Sequence, residues 1–190
     1  MQKNRTIILM GIKHSGKSTQ GRLLAGHFGC PFIDIDDEIL KIFGKSPREI
    51  YTEKGPAGFM HAEEEACRKI ESVCKNRIAV ISTGGGICDN APALNILRPL
   101  GIFVYLDINE KSACDRILKK AEKLSDGTWK NLPAYIARQN PAEETEIRKI
   151  FHAFYEERSK TYRDIADIIV PTTEESKEEN TKKILLALES

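Results

Sequence analysis

The chain has 190 residues, 41% hydrophobic and 30% charged, and its 29 Lys+Arg against 28 Asp+Glu leave a net charge of +1. This is the composition of one globular domain that can bury a core without staples, and it carries no global field to select nucleic acid or an anionic membrane. No apolar run approaches the roughly 18 residues that span a bilayer, and the five residues after Arg5 are too short for a signal peptide. A cytoplasmic, monomeric protein with a small-molecule partner is expected, with no membrane and no nucleic acid. Cys30, Cys67, Cys74, Cys88 and Cys114 form no C-x-x-C and are expected to be reduced thiols.

Thr6–Met10 is the first β-rich run, followed by a glycine loop and a helix over 17–28 that carries Leu23, Leu24 and Phe28. Pro31–Asp34 is a shorter candidate strand. Residues 60–74 set Ala62, Ala66, Ile70 and Val73 at helical spacing, with Glu63-Glu64-Glu65 expected on a solvated face. Ile78–Ser82 and Gly101–Leu106 are further strands, and 109–119 is a helix. Residues 120–140 break the rhythm, holding Gly127, Pro133 and the only tryptophan, Trp129. So long an irregular stretch in a compact domain is expected to act as a lid. A helix over 141–164, a strand at Ala166–Val170 and a helix over 175–188 complete the chain. Strands alternating with helices predict an α/β fold, a parallel sheet covered on both faces, in a single domain over 1–190.

Gly11-Ile12-Lys13-His14-Ser15-Gly16-Lys17-Ser18 fits the phosphate-loop pattern G-x-x-x-x-G-K-[ST]. Gly11 and Gly16 permit backbone angles that turn successive N–H groups onto phosphate oxygens. Lys17 is placed to reach the β- and γ-phosphates, and the Ser18 hydroxyl to meet Mg2+. His14, Ser15 and Thr19 complete the expected nucleotide contacts. The preceding strand and following helix are the context the motif requires. ATP with Mg2+ is therefore the expected ligand pair. No Asn-Lys-x-Asp segment points to guanine, and 190 residues leave no room for motor accessory domains.

Asp34 and Asp36 alternate with Ile33 and Ile35, so in an extended segment both carboxylates share a face. One is suited to ordering the water shell of magnesium, the other to taking a proton from an attacking hydroxyl. The competing reading is a helix cap at Asp36 or Asp37. After Ile78–Ser82 and Thr83 come Gly84, Gly85 and Gly86, more glycine than a turn needs and a place for a ligand to approach backbone.

Together these motifs resemble the shikimate kinase family. The resemblance rests on Gly11–Ser18, Asp34-Ile35-Asp36, Gly84-Gly85-Gly86, Gly44-Lys45-Ser46-Pro47-Arg48-Glu49-Ile50 and Arg158-Ser159-Lys160-Thr161-Tyr162, in order along nearly the whole chain. It implies a P-loop kinase fold, with a five-stranded parallel sheet flanked by helices and a lid. It also implies phosphorylation of shikimate to shikimate 3-phosphate by ATP. By the same resemblance Lys17 and Asp36 are the catalytic pair, and Asp34 holds magnesium through water. Gly84–Gly86 meet the acceptor, Arg158 pairs with its carboxylate, and Arg116 lies against adenine.

Two departures fall on the acceptor half. Met60 stands where the family has an arginine that also holds the carboxylate, with His61 and Arg68 as nearby candidate replacements. The lid lacks the family's R-P-L-L run, leaving Lys130 and Arg138 as candidate cations. A same-fold kinase for another small alcohol or nucleoside, and a non-catalytic ATP-binding relative, stay open on these grounds.

Overall fold

The computed structural model describes residues 5–74 and 77–189. Its elements in order are β1 (Thr6–Met10), α1 (Lys17–Phe28), β2 (Phe32–Asp34), α2 (Ile35–Phe43), α3 (Pro47–Cys74), β3 (Val80–Ser82), α4 (Ala91–Leu97), β4 (Gly101–Ile108) and α5 (Glu110–Leu118). The two-residue strands β5 (Glu122–Lys123) and β6 (Trp129–Lys130) follow, then α6 (Ala134–Ala137), α7 (Glu144–Ile165), β7 (Ile168–Thr172) and α8 (Lys177–Glu189). The central sheet is parallel throughout, in the order β2-β3-β1-β4-β7, and β5 and β6 pair as a separate antiparallel hairpin.

Strand alternation divides the core in two. Ile7 and Leu9 of β1, with Ile102, Val104 and Leu106 of β4, face α1 and α8 through Leu24, Ala25 and Ile184. Ile8 and Met10, with Phe103 and Tyr105, face the other layer, where α2, α3, α4, α5 and α7 pack. The connection from β1 thus leaves on one face and that from β3 on the other. Between such strands the loops part at the C-terminal edge of the sheet and open a crevice for a ligand.

The predicted elements are present with shifted bounds. β7 begins two residues after the predicted Ala166 because Ala166 caps α7 and the Asp167 carboxylate is held by Phe103 N at 2.7 Å and by Arg98. It runs on through Pro171, which an edge strand tolerates. The helix predicted over 60–74 starts instead at Pro47. Ser46 and Glu49 form a capping box, with Ser46 N donating to Glu49 Oε2 at 2.7 Å and Glu49 N to Ser46 Oγ at 3.3 Å. Gly55 (φ 68°, ψ −172°), followed by Pro56, interrupts this helix and divides it into two arms. In the second arm the buried stripe is Ala62, Glu63, Ala66, Cys67, Ile70 and Cys74. Val73, expected inside, is 52% exposed, and Phe28 on α1 is exposed as well.

Candidate active site

The loop between β1 and α1 is shaped by backbone angles. Gly11 has φ 146°, and a Cβ there would meet Ser15 Oγ at 2.8 Å and Leu106 O at 2.9 Å. Gly16, at φ 100°, is the N-cap of α1, and His14 holds a positive φ of 65°. Lys17 lies buried across the loop, its Nζ donating to Gly11 O at 2.7 Å and Ile12 O at 3.0 Å. Burial lowers its pKa to about 8. Burial, helped by Lys120 and Lys13, lowers His14 to about 4, so this ring is neutral at pH 7. Ser15 Oγ is buried without a hydrogen-bond partner among the described residues, as suits an atom that meets an anion's oxygen. Arg116 donates from Nη1 to His14 O at 2.9 Å, which sets this predicted nucleotide residue beside the loop. Thr19 is exposed in the first turn of α1.

Ser18 Oγ donates to Asp34 Oδ2 at 2.7 Å and lies 3.3 Å from Ser82 Oγ. A hydroxyl and a carboxylate in contact beside a phosphate cradle form the hard-oxygen donor set that magnesium prefers. Asp34 is also the N-cap of α2, accepting from Asp36 N at 3.1 Å. This corrects the reading that places both carboxylates on one extended segment, and the competing one that sets a cap at Asp36 or Asp37: the cap is Asp34. The strand ends at Asp34, and Asp36 belongs to the first turn of α2. Capping therefore frees Asp36, whose pKa is raised by burial and by Asp34.

Beyond Asp36 lies a cavity of about 420 Å3. Both arms of α3 line it, Arg48 and Tyr51 from the first and Phe59, Met60 and Glu63 from the second, as do Lys13, Gly84–Gly86, Asp89, Asn131–Tyr135 and Arg158. The glycine loop touches the phosphate loop directly: a Cβ on Gly85 would come within 2.8 Å of Lys13 N, and one on Gly86 within 3.1 Å of Arg158 Nη2. Arg158 is held in place. It pairs with Asp89 Oδ2 through Nε at 3.1 Å and Nη2 at 2.8 Å, and its guanidinium lies 5.0 Å from the ring centres of both Tyr135 and Phe154.

Several side chains stand elsewhere than expected. His61 and Arg68 are exposed, Arg68 pairing with Glu64, and neither lines the cavity. Lys130 and Arg138 also miss it, although Arg138 lines an adjoining cavity of about 470 Å3 together with Arg48 and Tyr51. Glu63 is not on a solvated face: it is 1% exposed, and burial raises its pKa to about 7. Sequence reasoning missed Lys13, Arg48, Glu63 and Ser82. Glu63 had a signal, since it lies four residues before Cys67 and seven before Ile70 on the apolar stripe. A larger cavity of about 930 Å3, lined by Ile7, Phe28, Pro31, Ile78 and Ile102, sits at the N-terminal ends of the strands and brings together none of these groups.

The shikimate kinase family profile matches residues 13–189. The shikimate kinase of Aquifex aeolicus is 36% identical over 183 residues, covering 96% of this chain and 95% of that protein. The shikimate kinase of Persephonella marina is 32% identical over 181 residues, covering 95% and 97%. Among solved structures, the shikimate kinase from Acinetobacter baumannii in complex with shikimate superposes with a TM-score of 0.77 at 28% identity, covering 98% of this chain and 94% of that one. The Aquifex aeolicus structure gives 0.71 at 36% identity, covering 97% and 96%. A fold and sequence match of this extent, over a P-loop facing a carboxylate-lined cavity, has one reading: the chain belongs to the shikimate kinase family.

Proposed function

We propose that this chain transfers the γ-phosphoryl group of ATP to a hydroxyl of shikimate, releasing ADP and shikimate 3-phosphate. The observation that carries the reading is the contact between Lys13 of the phosphate loop and Gly85 of the acceptor cavity, with Asp36 on the cavity's inner wall. A terminal phosphate on the loop and an alcohol in the cavity would then be neighbours.

The loop N–H groups and the end of α1 hold the phosphates. Lys17 exchanges the carbonyls of Gly11 and Ile12 for phosphate oxygens, and its buried charge stabilises the charge that spreads over the transferring group. Ser18 and Asp34 would hold magnesium, which would neutralise phosphate charge there. Asp36 accepts the proton of the attacking hydroxyl as the new O–P bond forms and the bond to ADP breaks. Arg158, fixed by Asp89, Tyr135 and Phe154, takes the acceptor's carboxylate. Arg48 offers the second cation from the first arm of α3, where Met60 on the second arm offers none. Residues 120–140 serve as the lid, with Leu132 and Ile136 buried in the core and Tyr135 over Arg158.

A coupled ADP-release assay tests this. Shikimate should stimulate ADP release in the presence of MgATP. Stimulation only by other alcohols would transfer the reading to another acceptor, as Met60 in the cavity favours, and release with no acceptor at all would overturn it.

A further inference from the structure

The two cations considered for the lid, Lys130 and Arg138, miss the acceptor cavity, and the lid residues that line it, Asn131–Tyr135, carry no charge. Among the described residues three cations border that cavity: Lys13, Arg48 and Arg158. Arg48 and Arg158 serve the acceptor's carboxylate in the mechanism above. Lys13 is left without a task. It is exposed, and among the described residues its ammonium has no hydrogen bond or ion pair. The fixed members of the phosphate-loop pattern are Gly11, Gly16, Lys17 and Ser18, so cradling phosphates does not call for a lysine at position 13.

The backbone sends Lys13 toward the acceptor. Ile12 O accepts from Lys17 Nζ at 3.0 Å, on the inner side of the loop. Ile12 and Lys13 share this peptide unit, and in a trans peptide the C=O and N–H point opposite ways. Lys13 N accordingly lies on the side of the glycine loop. A Cβ on Gly85 would meet Lys13 N at 2.8 Å, its Cα at 3.0 Å and its Cβ at 3.2 Å. The loop thus turns Lys17 inward, into the phosphate cradle, and Lys13 outward, to the rim where the acceptor cavity begins. The electrostatics agree. Burial and Asp34 raise the pKa of Asp36, and the strongest charge working against them is Lys13, ahead of Lys17. Burial lowers the pKa of Lys17, and Lys13 is the cation that adds to it. A cation felt by both Asp36 and Lys17 borders the space between them, which the phosphoryl group crosses.

We propose that Lys13 is a catalytic residue whose ammonium contacts the oxygens of the phosphoryl group as it passes to the acceptor, supplying from the phosphate loop the cation that the lid does not. This assignment rests on the kinase reading above. The acceptor oxygen bonds to phosphorus, the bridging oxygen leaves with ADP, and the hydroxyl proton goes to Asp36. Lys13 keeps its protons throughout and gives only charge and hydrogen bonds. Charge spreads over the equatorial oxygens in the transition state, so a cation placed there binds that state better than the ground state. Its effect belongs in kcat.

The test has two arms. Lys13→Met keeps most of the stem and removes the charge. It should lower kcat about 100-fold, with KM for shikimate and for ATP within about threefold of the parent. A kcat within about threefold of the parent, or a loss carried by the shikimate KM with kcat kept, would overturn the assignment. The second arm needs no acceptor. A phosphate oxygen against the ammonium favours its charged, unreactive form. Acylation of Lys13 in the parent protein, read by mass spectrometry, should therefore slow about fivefold or more with magnesium and a non-hydrolysable ATP analogue, and much less with MgADP. Equal reactivity with the two nucleotides would overturn the contact. A protein that failed to turn over shikimate would sink the acceptor assignment, while the acylation rates still decided whether Lys13 faces the γ-phosphate.

Discussion

The two halves of the site are built on different principles. The nucleotide half is backbone, read from one unbroken run: Gly11, His14 and Gly16 hold positive φ angles, and Lys17 bonds to carbonyls of its own loop. The acceptor half is side chains, drawn from α2, both arms of α3, the glycine loop, residues 131–135 and α7. A main-chain cradle depends on conformations that only a few sequences adopt, so little in it can change. A cavity lined by distant side chains can exchange a charge at one position for a charge at another. Met60 and Arg48 bordering the same cavity illustrate such freedom.

This contrast can be broken by mutations that separate the halves. Lys17→Ala and Asp36→Asn should each lower kcat by at least about 100-fold, as losing charge stabilisation and a proton acceptor does. They should differ in binding, with ATP affinity intact in Asp36→Asn by calorimetry; loss of ATP binding there would mean the halves are not separable. Arg158→Ala should raise the acceptor KM about 30-fold, on the order of 2 kcal/mol, with a smaller change in kcat. Part of that cost comes from Asp89, which loses its partner. An unchanged KM would remove Arg158 from the acceptor half.

Stability against pH gives the smallest effect and sharpens the comparison from the unfolded side. Glu63 has its folded pKa raised from 4.5 to about 7. Between those values the unfolded chain ionises while the native one keeps its proton, so this residue makes stability fall as pH climbs through that window. The fall is bounded at on the order of 2 kcal/mol once relaxation of the site is allowed for. Urea unfolding at about pH 5 and about pH 8 should show a smaller loss for Glu63→Gln than for the parent. Equal losses would place the buried carboxyl in an environment that tolerates its charge.

Much of the fold was legible because it rests on local pattern. Thr6–Met10 reads as a strand from composition alone, and the helix over 17–28 is bounded by Gly16 and Gly29, both at positive φ. The start of α3 was harder to read, since Gly55 and Pro56 look like an ending when they are an internal break. Strand alternation alone sets Asp34 and Asp36 on one face. The strand instead becomes a helix between them, with Asp34 capping it and accepting from Asp36 N. Glu63 was hidden by its neighbours: three glutamates in a row suggest solvent, yet only the first lies on the buried stripe, where Asn90 reaches it from 27 residues away. No local pattern announces a contact at that separation. Nothing in sequence spacing brings Arg48, on the first arm of α3, to the same cavity as Met60.

The central claim is spatial: a nucleotide's terminal phosphate and a hydroxylated acceptor meet between the loop at Lys17 and the carboxylate of Asp36. A crystal structure with a non-hydrolysable ATP analogue, magnesium and shikimate measures this directly. The account predicts the reacting hydroxyl within about 3 Å of an Asp36 oxygen and the acceptor's carboxylate on Arg158. An acceptor bound outside the cavity bordered by Met60, Gly85 and Arg158, or a γ-phosphate turned away from Asp36, would contradict it.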